Sequence, residues 1–264
     1  WREALPTWRH LGLQAHDVDV YVHTWRDLGR RVPDPEIMPS VRRVFADAGF
    51  AEAFIRAGQR HGLAALQRAY PALFAGLASQ AMVSADELRQ AFGPEATVVI
   101  EDEHDPRFAG WDNPQRMHYK IWAAQQLVQA SGRRYDMVLR LRPDKLVRGA
   151  ERLPDWPALA ARSADEQALF CEEPVGLREG LVMGDQVAAG APGPMAAYAE
   201  AWRLQPRAAA EGWPGFPDRF TGHTTLAWTC LWQGLRPQAL PGVQFGPMAE
   251  ASQISAAEVR ALLA

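Results

Sequence analysis

Two arginines and an aspartate, packed into five residues, carry the strongest chemical signal in this chain. They lie in Tyr135-Asp-Met-Val-Leu-Arg-Leu-Arg-Pro-Asp-Lys145. Successive side chains of a strand alternate, so Met137, Leu139 and Leu141 should share one face and Val138, Arg140 and Arg142 the other. Pro143 has no N–H for a ladder, so regular pairing should stop there. Asp144 then sits just past the carboxyl end of the strand, near two guanidinium groups. In an open α/β sheet that edge is where ligands bind. Arginine forks match phosphate oxygens, and a carboxylate can hold a divalent cation between phosphates. The plain alternative is a strand tip whose charges pair with each other.

Four other places offer polar groups in suitable positions. His23-Thr24-Trp25 follows the alternating segment Val-Asp-Val-Tyr-Val and would suit a base or ribose pocket; taken alone, a capping Thr, a satisfied His and a core Trp are the simpler explanation. Lys120 falls on the stripe Met117, Ile121, Ala124, Leu127 and Val128 of a helix expected from about 114 to 130, at the turns nearest the ligand edge. It would reach a phosphate, or else snorkel to water. Asp185, in Gly184-Asp-Gln, is a candidate general base or sugar-hydroxyl ligand, set against an Asx turn. His223 opens the last long helix, where a polar helix-start residue is the simpler explanation. The acidic run Glu101-Asp-Glu-His-Asp105 reads as a solvated loop. Neither a Ser–His–Asp nor a Cys–His signature is present.

The elements that must position these groups alternate between strand and helix. Strands are expected at 18–24, 97–100, 135–142, 169–173 and 182–189, the last two separated by a turn around Gly176. The first three are expected to neighbour one another in a single sheet. A helix begins near Asn113 as N-cap, with Pro114 at its first position and Gly132 at its end. Further helices are expected at 194–204 and 224–235. Residues 39–92 are helical in texture, with breaks at Gly62 and Pro71, and read as an insert. The alternation predicts α/β, with a mostly parallel sheet covered on both faces. All 264 residues are expected to form one domain. Neither Gly-x-Gly-x-x-Gly nor Gly-x4-Gly-Lys-Ser/Thr occurs, so a nucleotide would be held by side chains.

Composition narrows the function classes. A net charge of −3 with dispersed Lys and Arg argues against nucleic acid as a partner. Cys171 and Cys230, far apart, make neither a disulfide framework nor a zinc site, which fits a reducing cytoplasm. No apolar run is long enough to span a bilayer. The amphipathic opening Trp1-Arg-Glu-Ala-Leu-Pro-Thr-Trp-Arg9 does not read as a signal peptide.

Four segments in order resemble a family of bacterial glycosyltransferase-like proteins of capsule and lipopolysaccharide synthesis. They are Asp19-Val-Tyr-Val-His-Thr-Trp25, Asn113 to Lys120, Tyr135 to Asp144, and Gly184-Asp-Gln-Val-Ala-Ala-Gly190 leading to Met195 and Tyr198. The resemblance implies a GT-A-like, Rossmann-like fold, a nucleotide-sugar donor and a glycan acceptor. His23, Thr24, Trp25, Lys120, Arg140, Arg142 and Asp144 would form the donor site, and Asp185 the catalytic base or acceptor ligand. Arg142-Pro143-Asp144 falls where many such enzymes carry Asp-x-Asp. With a single carboxylate there, a Mg²⁺ or Mn²⁺ ion at Asp144 needs phosphates and water to complete its shell. The alternative is that Arg140 and Arg142 do the cation's electrostatic work. The resemblance also implies a leading strand, ending in a Gly- and Arg-containing turn, that is expected to precede Trp1. Relatives tend to carry Glu where this chain has His223. The expected location is the cytoplasm, with the inner face of the membrane as the option a surface-glycan role opens. Two alternatives stay open: a sugar nucleotidyltransferase and a non-catalytic nucleotide- or glycan-binding domain.

Overall fold

A computed structural model describes residues 1–27, 32–33, 35, 41–42, 44–78, 82–149, 152–178, 180–248 and 253–264. The fold is mixed α/β and divides into two compact units. The first comprises Trp1–Thr24, Leu88–Val99 and His104–Ala249; the second comprises Trp25–Glu87, Ile100–Glu103 and Glu250–Ala264.

In chain order, β1 is Tyr21–Trp25. Helices α1 (Ala48–His61), α2 (Leu63–Ala69), α3 (Pro71–Leu77) and α4 (Ala85–Phe92) follow. Then come β2 (Thr97–Glu101), α5 (Asn113–Ala130), β3 (Val138–Leu141), β4 (Lys145–Arg148), α6 (Trp156–Glu166) and β5 (Ala168–Cys171). The short strands β6 (Gly176–Arg178) and β7 (Gly180–Val182) lead to β8 (Val187–Gly190), α7 (Pro192–Ala199) and α8 (Ala201–Glu211). The chain closes with α9 (Gly222–Trp232), β9 (Arg236–Ala239), β10 (Gln244–Met248) and α10 (Ala256–Leu263).

The second unit is held by helix packing. Its core gathers Phe45, Phe54, Ile55, Leu66, Leu73, Phe74 and Leu77 with Ile254 and Val259 from the C-terminal segment. Asp47 caps α1 by accepting from the Phe50 N–H at 2.8 Å, satisfying one of the orphan donors of the first turn. The expected breaks coincide with the α1–α2 and α2–α3 junctions, at Gly62 and Pro71. Residues 39, 40, 43 and 79–81 of the expected insert lie outside the described residues.

In the first unit a four-stranded sheet of order β3-β8-β5-β9 organises everything around it. Here the expectation of a mostly parallel sheet needs correction. β5 and β9 are parallel, but β8 runs antiparallel to both β3 and β5. The cause lies between β5 and β8. A parallel return needs a crossover of a dozen or more residues, usually a helix. Residues 172–186 instead contain the antiparallel β6–β7 pair, and the chain comes back beside β5 in the opposite direction. The three-strand neighbourhood needs correction too. β1 and β2 form a two-stranded sheet of their own, and β3 takes β8 as its partner. Side chains connect β1 to the start of the β3 segment: Tyr135 Oη donates to Asp19 at 2.5 Å and lies 2.6 Å from Tyr21 Oη.

The two faces of the sheet separate as the alternation predicts. Leu139, Leu141, Ala189, Ala168 and Phe170 pack with Leu11, Trp156, Leu159 and Leu240. Val138, Ala188, Leu169 and Cys171 pack with Ile121 of α5, Met195 and Tyr198 of α7, and Leu226 and Cys230 of α9. Arg140 is the Cα partner of Ala188, which is also the partner of Cys171. Small Ala188 therefore leaves room for the long Arg140 side chain on the second face.

Candidate functional site

Strand ends bring the charged groups together. β3 and β5 point the same way and β8 opposes them, so the end of β3, the end of β5 and the start of β8 form one edge. Arg142, Asp144, Glu172, Glu173, Asp185 and Gln186 all lie there. The Arg142 N–H donates to the Gln186 carbonyl at 2.8 Å, and the Gly184 N–H to the Glu173 carbonyl at 2.8 Å.

Glu172 builds the Asp185 turn. Its carboxylate accepts from the Gln186 N–H at 2.7 Å and the Val187 N–H at 2.8 Å. A Cβ at position 184 would lie 2.5 Å from that carboxyl group and would push it off its two N–H donors. Burial raises the Glu172 pKa; the two N–H donors and the Arg140 charge pull the other way. Arg140 Nη1 donates to the Asp185 carbonyl. The backbone of Asp185 is therefore held from both sides, while its carboxylate accepts no hydrogen bond from any described residue. The nearest basic side chain is His223, with Nδ1 at 4.0 Å from Oδ1.

Arg142 and Asp144 straddle Pro143 and pair: Nε to Oδ1 is 2.8 Å and Nη2 to Oδ2 is 3.2 Å. Oδ2 thus accepts a hydrogen bond from Arg142, while the buried Oδ1 meets Nε at ion-pair distance without hydrogen-bond geometry. One carboxylate in that state is a poor donor set for Mg²⁺ or Mn²⁺, which seek several anionic or water oxygens. The residues at Asp144 do not fit a divalent cation. No protein-family model matches the chain, and no curated protein or solved structure matches it.

Helix α5 supplies the remaining polar groups. A capping box starts it: Asp112 accepts from the Gln115 N–H at 2.8 Å, and Gln115 Oε1 from the Asp112 N–H at 2.9 Å. The N-cap is therefore Asp112, one residue before the expected Asn113. Lys120 does not snorkel outward alone. Its Nζ lies 3.2 Å from His23 Nδ1 and donates to the Thr24 carbonyl at 3.0 Å. His23, Thr24 and Lys120 thus form one group, and Arg140 with Asp185 another. Trp25 ends β1 and belongs to the second unit.

Two residues at the centre of the site escape sequence reasoning. His118 is fully buried, lies tilted against Phe220 with centroids 5.2 Å apart, and neither ring nitrogen has a hydrogen-bond partner among the described residues. Burial above all, and then the Arg140 charge, push its pKa down to about 3, against a weaker opposite pull from the Gly222 backbone. The ring is therefore neutral at physiological pH. The other is Glu172, whose partners are all distant in sequence or set by the turn it holds. Only the spacing of His118, Ile121 and Gln125, three and four apart along the buried side of α5, hinted at a polar group inside. Tyr198 adds a fully buried hydroxyl without a hydrogen-bond partner among the described residues, and burial raises its pKa. The arrangement offers fixed positive charge at Arg140, an unspent carboxylate at Asp185, and several buried polar atoms around them.

Proposed function

We propose that this chain is a glycosyltransferase with a GT-A-like arrangement. It would move a sugar from a nucleotide-sugar to a glycan hydroxyl in cell-surface polysaccharide synthesis, in the cytoplasm or at the inner face of the membrane. One observation carries the reading: Arg140 holds the Asp185 carbonyl, the nearly enclosed Asp185 carboxylate accepts no hydrogen bond from a described residue, and Arg142 lies at the same strand edge. A buried carboxylate without hydrogen bonds is costly unless a ligand uses it. Guanidinium groups suit the leaving diphosphate. Arg140 and Arg142 would neutralise that diphosphate. His23, Thr24 and Lys120 would contribute to the donor pocket, and Asp185 would be the base or the acceptor ligand.

A second reading has support of its own. The single carboxylate at Arg142-Pro143-Asp144, already engaged by Arg142, would suit a non-catalytic nucleotide- or glycan-binding domain. Turnover separates the two. Incubated with a panel of nucleotide-sugars and oligosaccharide acceptors, the protein is expected to release nucleoside diphosphate in step with glycan elongation. Asp185→Asn keeps the shape and should reduce that rate by roughly 100-fold or more while leaving donor binding intact. Binding without release by the wild type favours the second reading, and a wild-type rate for Asp185→Asn removes Asp185 from the chemistry.

A further inference from the structure

We infer that the proton-accepting atom of this site is Nε2 of His223, with Asp185 behind it as a positioning residue. The base role rests on the glycosyl-transfer reading; the geometry of the couple does not. His223 is the second residue of α9, and its side chain is 54% exposed, whereas that of Asp185 is 10% exposed. Nδ1 of His223 lies 2.8 Å from the Met183 carbonyl oxygen. A carbonyl only accepts, so Nδ1 carries the proton and donates it. In the neutral ring the lone pair is then on Nε2.

The Asp185 carboxylate, 4.0 Å from the same Nδ1, is too far for a hydrogen bond. It is near enough to stabilise the imidazolium that forms when Nε2 takes a proton. It is also fixed: Arg140 holds its carbonyl, and Glu172 holds the two residues that follow. A base must come within hydrogen-bond reach of its proton. The half-exposed imidazole can do so, and the nearly enclosed carboxylate is better placed to stabilise it from behind.

The step balances without any further reactant. The acceptor hydroxyl gives its proton to Nε2, and its oxygen forms the new bond to the anomeric carbon. The bond from that carbon to the diphosphate oxygen breaks, and its electron pair leaves on the nucleoside diphosphate.

The whole chain, labelled with ¹⁵N at histidine, is examined by long-range ¹H–¹⁵N NMR at neutral pH, with His223→Gln to assign the signal. His223 is expected as the Nδ1–H tautomer, and Asp185→Asn is expected to perturb its ring nitrogens. In parallel, His223→Ala should slow transfer by roughly 100-fold or more with donor affinity unchanged, and added imidazole should restore part of the rate. An Nε2–H ring in an active wild type, or wild-type turnover by His223→Ala, overturns the base role alone. Absence of transfer by the wild type from every nucleotide-sugar overturns the glycosyl-transfer reading and the base role together, so the two failures are told apart.

Discussion

The two faces of the four-stranded sheet are made by the same strands and solve opposite problems. On one, Leu139, Leu141, Ala189 and Phe170 meet Trp156, Leu159 and Leu11, and the polar groups there are satisfied: Trp156 Nε1 donates to the Leu11 carbonyl at 2.8 Å. On the other, the same alternation presents Arg140 and Ala188 beneath α5, α7 and α9, where His118 and Tyr198 are buried with polar atoms unpartnered among the described residues. Buried polar groups normally find hydrogen bonds, and exceptions cluster where a fold serves something besides its own stability. The first face is a foundation; the second is also a packed core, and the polar groups set into it are where ligand chemistry is expected.

Substitutions should expose that difference, and the largest effect belongs to the first face. Phe170 is fully buried there, so Phe170→Ala should lower unfolding free energy by about 3–5 kcal/mol in a urea titration. A loss near 1 kcal/mol would mean that the face collapses around the gap and is no foundation.

His118 gives the next effect, and it depends on pH. Its pKa is about 3 in the folded chain against an ordinary 6.5, so the unfolded chain takes up a proton first as pH falls. Stability from the neutral ring is fully present above pH 6.5, declines as pH falls toward 3, and is gone below it. At about 1.4 kcal/mol per unit the swing is a few kcal/mol. His118→Phe should flatten the stability profile across that window. An unchanged slope would assign the acid response to other groups.

The smallest effect is expected at the Arg142–Asp144 pair, whose side chains are 39% and 32% exposed. Solvent screens such pairs, so Asp144→Asn should lower stability by less than about 1 kcal/mol. A loss of several kcal/mol would make the pair a structural clamp rather than a site edge.

Much of the sheet was legible because its signals are local. The period of two in 137–142 separated the faces, and β3 ends at Leu141, before Pro143. Strand direction was not legible: β8 is antiparallel because a hairpin fills 172–186, and no composition signal in that stretch distinguishes a hairpin from a crossover. β4 went unseen, since Lys-Leu-Val-Arg directly after a proline turn is too short to show a period. In the site, the charges of Arg140, Arg142 and Asp185 stood out as residue types. Their partners did not. Glu172 reaches the 186–187 backbone from the far side of the β6–β7 hairpin, and His223 meets Met183 and Asp185 about forty positions away. His118 was hidden because a hydrophobic stripe counts only apolar residues.

Isothermal titration of a nucleoside diphosphate and its parent nucleoside, into the wild type and Arg142→Ala, tests the claim that this edge binds a diphosphate most directly. The wild type should bind the diphosphate form more tightly than the nucleoside. Arg142→Ala should weaken only the diphosphate form, by roughly 1.5–3 kcal/mol for a charge-assisted bond. Equal weakening of both, or equal affinity of the wild type for both, would contradict the account.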